Sequence, residues 1–147
     1  MQSFDPRRLL WCRTLEGLLG WLQAPKDARW LLVGVPPLRL PSGTSRAVQS
    51  EARLTREQLL GCPAFDAALV VVGEQCDEAM ETLDTARSWL MPSAPLAVVL
   101  SAGSEAHRGL CSKRLREAHN LPLRQATTLR ALRKVVLTRE PDNARDR

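Results

Sequence analysis

The sequence has few aromatic residues and no long apolar segment. Tyrosine is absent, and phenylalanine and tryptophan together make up 4% of the 147 residues. The longest apolar runs, Ala67 to Gly73 and Pro95 to Leu100, are far shorter than the roughly 20 residues of a helix that crosses a membrane. We therefore expect a protein that is not embedded in a membrane.

Motifs for metals, disulfides and phosphate loops are also missing. No C-x-x-C pair occurs, and the pattern G-x-x-x-x-G-K of a P-loop and the G-x-S-x-G turn of a serine nucleophile are absent. His107 and His119 have no acidic or cysteine partner at a metal-binding spacing. We therefore predict no metal and no cofactor. The scattered cysteines are typical of a protein in the reducing cytoplasm; they are Cys12, Cys62, Cys76 and Cys111.

The charge is unevenly distributed along the chain. The net charge is +5, with blocks of +4 over residues 1–65, −6 over 66–106 and +7 over 107–147. No aromatic residue interleaves with the basic residues of the last block, so the stacking platform of a single-strand nucleic-acid binder is missing. Those basic residues form either a solvated surface or a phosphate-binding stripe; they are Arg108, Lys113, Arg114, Arg116, Arg124, Arg130, Arg133 and Lys134.

Helical and strand patterns alternate along the chain. Continuously apolar strands between helices are typical of a sheet covered on both faces. The sequence therefore predicts one α/β domain over residues 1–139, a three-layer sandwich with a mainly parallel central sheet, followed by a disordered polar tail at 140–147. The predicted helices span 6–23, 45–60, 78–90, 104–120 and 126–138, the strands span 30–35, 66–72 and 96–100, and 121–123 is a short strand or a turn.

Residues 64–138 resemble a receiver domain of two-component signalling. FDAALVVVG matches the third receiver strand, SAPLAVVLSA the fourth, and LPLRQATTLRALRKVV the proline turn and last helix. The resemblance implies a flavodoxin-like or CheY-like fold. It also implies a degenerate cleft, because Gly73 stands where receivers carry the phosphoacceptor aspartate, with Glu74 beside it. Ser101 and Pro122 match the receiver pattern at the end of the fourth strand and in the proline turn.

A pseudo-receiver of this kind implies a cytoplasmic protein without enzymatic activity that works through protein contacts. It would act in signalling or as a structural subunit, and its partner would be a kinase, a regulatory protein or another subunit of a complex. The candidate interface residues are Trp11, Trp21, Arg124, Arg130, Arg133 and Lys134.

Two alternatives remain. FDAALVVVGE and ARSWLMPSAPLAVVLS also resemble the later half of a class I methyltransferase, but VGVPP lacks the glycine-rich loop that such an enzyme needs and the chain is short. This alternative is an inactive or minimal Rossmann-like methyltransferase relative. The other is an accessory protein that binds nucleic acid through the basic C-terminal helices. Strand order discriminates between the two resemblances, because 2-1-3-4-5 indicates a receiver and an antiparallel last strand indicates the methyltransferase fold.

Overall fold

The computed structural model of this chain describes residues 5–25, 27–36, 38–40, 45–49, 54–111, 115–118 and 120–139. Helices and strands alternate along most of these residues. In chain order the elements are α1 (Pro6–Trp21), β1 (Arg29–Val33), β2 (Ser45–Gln49), α2 (Arg56–Leu59), β3 (Ala67–Val71), α3 (Cys76–Ser88), β4 (Leu96–Ser101), α4 (Glu105–Cys111), β5 (Leu115–Glu117), α5 (Leu123–Ala131) and β6 (Lys134–Arg139).

The strands of the described residues form one mixed sheet in the order β2-β1-β3-β4-β6-β5. Strands β2, β1, β3 and β4 are parallel. Strand β6 runs antiparallel to β4, with Ser101 opposite Lys134, and also antiparallel to β5. The sheet is therefore parallel on one side and antiparallel on the other.

Both faces of the sheet are buried, which explains why its central strands are apolar at every position. Successive side chains of a strand point to opposite faces. Leu31 and Val33 of β1 belong to the core that contains residues of α3 and α4, whereas Trp30 and Leu32 belong to the core that contains residues of α1 and α5. The three-layer α/β arrangement predicted from the sequence is confirmed at this level.

Helix α1 begins as its sequence predicts. The Asp5 carboxylate accepts the backbone N–H of Arg7 at 3.0 Å, and Pro6 occupies the first helical position. Leu15 and Leu18 are fully buried against the sheet. This helix precedes β1 and forms one outer layer of the sandwich together with α5.

Three predicted helices are wrong over part of their length. Residues 45–49 form β2 within the predicted helix 45–60, and among its other described residues Arg56–Leu59 form a helix. The predicted helix 104–120 ends at Cys111, and 115–117 form β5. The predicted helix 126–138 is replaced by α5, which ends at Ala131, and by β6. In each case pairing with a strand distant in sequence overrides local helix propensity.

The strand order corrects the prediction of a flavodoxin-like or CheY-like fold. The receiver resemblance predicts the order 2-1-3-4-5, and the first four strands follow it. The next strand beside β4 is β6, and it is antiparallel. The observed sheet therefore has the antiparallel last strand that indicates the methyltransferase fold.

Two predictions, the disordered tail and the single domain, are not tested by the structure. The predicted tail 140–147 lies outside the described residues, and the single domain over 1–139 stays a prediction.

Residues 121–122 carry no strand, and Leu123 begins α5. None of the described helices is both long and apolar enough to cross a membrane.

Two helical glycines provide a matched test of the contact between α3 and α4. A Cβ at Gly109 would collide with the Cys76 sulfur, whereas a Cβ at Gly20 would meet no atom within 4 Å. Gly20→Ala should raise the free energy of unfolding by about 0.5 kcal/mol through helix propensity. Gly109→Ala should lower it by about 1–2 kcal/mol through overpacking.

Urea denaturation measures both effects. Adding Cys76→Ala to the Gly109→Ala variant should recover part of the loss because it removes the clashing sulfur. Equal stabilisation by the two glycine substitutions would show that α3 and α4 do not pack as described.

Candidate functional site

The carboxyl ends of the parallel strands meet at one edge of the sheet, which we call the carboxyl edge. Gly34 follows β1, Gly73 lies two residues after β3, and Ser101 ends β4. The first residue of β6, Lys134, lies at the same edge because β6 is antiparallel. Strands β2 and β3 flank β1 on opposite sides, so a topological switch point lies between β1 and β3. Ligands of open α/β sheets bind outside such a point.

The segment after β1 is packed into the core. Gly34 has a φ of 69°, and Val35 and Leu38 are only 2% and 5% exposed. Both side chains belong to the core beneath α1 and α5. The backbone N–H of Arg39 donates to the Glu16 carboxylate of α1 at 2.9 Å. Among residues 34–36 and 38–40, which the structure describes, none is helical.

The end of β3 is exposed, but the helix termini beside it are occupied. Gly73 and Glu74 are exposed, and a Cβ at Gly73 would meet no atom within 4 Å. The Glu74 carbonyl accepts the N–H of Ala106 at 3.0 Å. The Glu105 carboxylate accepts the N–H of Cys76, at the start of α3, at 3.0 Å. Protein acceptors therefore hold N–H groups that an anion would need at these termini.

The end of β4 carries a serine and lysine pair. The Lys134 ammonium donates to the Ser101 hydroxyl oxygen at 3.0 Å, and both side chains are half-buried. The backbone N–H of Ala102 donates to the Arg133 carbonyl at 2.8 Å. Because Lys134 supplies the donor in this bond, the Ser101 hydroxyl keeps its own proton available for another acceptor.

A histidine and a glutamate continue this polar region toward β5. The backbone N–H of Gly103 donates to His107 Nδ1 at 2.9 Å, and His107 Nε2 lies 3.2 Å from a carboxylate oxygen of Glu117. An Nδ1 that accepts an N–H carries no proton, so the ring proton is on Nε2 and is donated to Glu117. The side chains of His107 and Glu117 are 19% and 54% exposed.

A cleft of about 160 Å³ lies between α5 and the two antiparallel strands. Its charged residues are Glu117, Arg130 and Lys134, and Leu121 and Leu129 are among its apolar residues. The cleft and the Ser101–Lys134 pair share Lys134, so they form one continuous region. We call this region, with His107 and Glu117, the polar side of the carboxyl edge.

The structure places the predicted arginines around α5. The side chains of Arg124, Arg130 and Arg133 are exposed. Arg130 and Arg133 lie at the end of α5 and in its turn into β6, next to Lys134, whereas Arg124 lies in the first turn of α5. Within the described part of the chain, no ion pair involves these three guanidinium groups.

The remaining predicted residues do not share one site. Pro122 directly precedes α5, where its carbonyl accepts the N–H of Ala126 at 3.0 Å, and it makes no hydrogen bond with Ser101. Trp11 and Trp21 are both partly buried against the core beneath α1 and α5. The Trp21 indole N–H donates to the Asn120 carbonyl at 2.9 Å. Their role as an interface stays a prediction.

Two features of this edge were not predicted from the sequence. The Ser101–Lys134 bond depends on β6, and the run from Lys134 to Leu137, with its adjacent valines, is the signal that favours a strand there. The His107–Glu117 contact depends on β5, which is only three residues long. No group of three metal-ligating side chains occurs among the residues that the structure describes.

Neither the family models nor the curated proteins contain a match to this chain. Solved structures do resemble it. One is the 16S rRNA N2 methyltransferase RsmC of T. thermophilus, in complex with AdoMet and guanosine, at 16% identity and a TM-score of 0.54. This chain is covered over 95% of its length but spans only 44% of that chain.

Two further structures are similar. The N-methyltransferase NodS of Bradyrhizobium japonicum WM9 has 14% identity and a TM-score of 0.52, with 93% of this chain and 98% of that chain covered. Phosphoethanolamine N-methyltransferase 2 of Haemonchus contortus has 12% identity and a TM-score of 0.50, with 89% and 37% covered. At these identities the likeness establishes a Rossmann-like α/β fold.

These comparisons correct the functional prediction. The three solved structures are methyltransferases and none is a receiver, so the prediction of a pseudo-receiver in signalling is wrong. The prediction that the chain is not an enzyme followed from that resemblance and is contradicted by the same three structures. The expectation that the chain is too short for a methyltransferase fold is also wrong, because it covers nearly all of the NodS chain.

The tautomer of His107, that is, which ring nitrogen carries the proton, can be tested directly. Two-dimensional ¹H–¹⁵N NMR of the imidazoles at pH 8 should show His107 with its proton on Nε2, because Gly103 donates to Nδ1. Glu117→Gln should leave this tautomer unchanged, since the Gly103 contact fixes it. A proton on Nδ1 would contradict the described loop geometry.

Proposed function

We propose that this chain is a reduced Rossmann-like methyltransferase domain that provides the acceptor side of a methyl-transfer site. The observation that carries the proposal is the antiparallel strand β6 beside β4, which brings Lys134 to Ser101 at the edge where this fold binds ligands. The likeness to three methyltransferase structures supports it.

The residues after β1 do not fit S-adenosylmethionine in the manner of a Rossmann-like cofactor site. Such a site needs a glycine-rich turn, so that the backbone approaches the ligand, and a following helix whose N-terminus faces it. Here Gly34 is followed by the buried Val35 and by Pro36, and the described residues of this segment are not helical. A ligand at this position would have to displace core side chains.

The polar side of the carboxyl edge fits an acceptor better than a methyl donor. Lys134 and Ser101 together offer an ammonium and a hydroxyl proton to an oxygen of a bound molecule. Glu117, which accepts the His107 proton, has further lone pairs for an N–H or O–H of the same molecule. This combination of donors and an acceptor suits a polar group such as a nucleobase or a phosphorylated compound.

Glu51 is the second residue after β2 in the sequence. Rossmann-like domains often present a carboxylate to a ribose from about this position. It lies outside the described residues.

The donor side can be tested by isothermal titration calorimetry with S-adenosylmethionine. We expect no binding with a dissociation constant below about 1 mM, which corresponds to about −4 kcal/mol, because the segment after β1 is filled by its own side chains. The titration is repeated with a saturating RNA duplex so that any requirement for an acceptor is covered.

Two variants make a positive result interpretable. Gly73→Ala adds a methyl group at the edge where it meets no protein atom, so it should not change the melting temperature. Glu51→Gln removes the carboxylate that a ribose would need. Stoichiometric binding by the wild type that either variant weakens would overturn the proposal and assign the donor to this chain.

A further inference from the structure

We infer that α5 and its turn into β6 bind the phosphate backbone of double-helical nucleic acid. The contacts would come from Arg124, Arg130 and Arg133, which we call the guanidinium surface. Under the proposed function, double-helical nucleic acid is the class of methyl acceptor, and this identification rests on the proposed function. The charges and contacts that support it stand on their own.

The first support is that these guanidinium groups have no protein partner among the described residues. Three other described arginines are engaged by protein groups: Arg29 lies over the Phe65 ring, Arg87 pairs with Asp84, and Arg108 donates to a carbonyl. The three groups of the guanidinium surface make no such contact within the described residues. They also belong to the block 107–147, whose net charge of +7 has little acidic compensation.

The second support is the backbone conformation of Arg133. Leu132 caps α5, and Arg133 follows it with a φ of 58°. Glycine is the residue that this position of a helix C-terminus favours, because a side chain is strained there. A strained backbone position that carries an exposed charged side chain is a candidate for a functional position.

The third support is the position of the surface. Arg130 lines the same cleft as Lys134, whose ammonium is bonded to Ser101 at the carboxyl edge. The guanidinium surface therefore borders the polar side of the edge. A ligand held by these arginines would reach the Ser101–Lys134 pair.

The nature of the ligand follows from what the guanidinium surface offers and what it lacks. Arg124 and Arg130 are six residues apart on α5, or about 9 Å along its axis, so they can reach separate phosphates of a regularly charged strand. No Phe, Trp or Tyr occurs in α5 or β6, so the guanidinium surface itself carries no aromatic ring to stack unpaired bases. Phosphate contact without stacking favours a double helix that is recognised by its shape.

The test measures binding of a fluorescein-labelled 16-base-pair RNA duplex by anisotropy between 50 and 200 mM KCl. With three phosphate contacts the logarithm of affinity should fall with a slope of about −2.7 against the logarithm of salt, or about 40-fold over this range. Arg130→Glu/Arg133→Glu should weaken binding at 50 mM by at least about 10-fold and reduce the slope to about −1.

The matched control is Arg7→Glu/Arg8→Glu. These arginines are exposed on α1 and the double variant changes the net charge by the same amount. They lie about 15 Å along the helix from Gly17, where an added Cβ would meet the Gln125 side chain of α5. The control should retain affinity within about twofold. Equal loss in both double variants, no binding at 50 mM, or tighter binding of the single strand would each overturn the inference.

Arg133→Gly separates a structural role from a binding role. It should raise the melting temperature by about 2 °C, because glycine relieves the positive φ, and lower duplex affinity about threefold. A loss of stability, or unchanged affinity, counts against the inference. No methyl donor is present in these experiments, so their failure leaves the donor titration unaffected, and the two proposals can fail separately.

Discussion

Strand β6 pairs antiparallel with β4, and this pairing determines where the polar groups of the carboxyl edge lie. A parallel strand beside β4 would bring its own carboxyl end to this edge. The antiparallel strand brings its first residue instead, so Lys134 lies opposite Ser101 and the Arg133 carbonyl accepts the N–H of Ala102. Because α5 must end where β6 begins, Arg130 comes to the same edge.

The pairing also explains why a charged side chain begins β6. Val136 and Leu137 are buried within the sheet, whereas Lys134 is half-buried with its ammonium on a hydroxyl. A half-buried ammonium needs an acceptor, and the serine that ends β4 supplies one. The bond joins the end of the parallel region to the start of the antiparallel region. It therefore connects the sheet architecture to the chemistry of the edge.

The parts of the fold that depend on local sequence could be predicted. Strands β3 and β4 are short apolar runs with β-branched residues, and turn residues precede β4, so their burial is determined by composition. The Asp5-Pro6 start of α1 is equally local. The segment 126–138 is different, because Leu129, Leu132 and Val136 satisfy a helical period while Val135 to Leu137 also suit a strand. Pairing with β4 makes residues 135–137 a strand. That pairing is with a strand distant in sequence, so the local pattern does not show it.

The candidate site also contains one part that depends on local sequence and one part that depends on distant strand pairing. Ser101 could be found because it ends a recognisable strand, but its lysine partner is 33 residues away and required β6. The receiver resemblance failed for a related reason. It relied on β3 and β4, and the first four strands do have the order 2-1-3-4 of a receiver, so the difference lies outside the region that carried the resemblance.

The position of α1 accounts for the remaining difference between the two sides of the carboxyl edge. In an α/β unit the helix after the first strand usually covers that part of the sheet. Here α1 comes before β1 and covers it, with Leu15 and Leu18 buried beneath. The segment after β1 then has no helix to lead into among its described residues, and Val35 and Leu38 fill the space at the layer boundary. Among the described residues, the edge is consequently apolar at β1 and polar at β4 and β6.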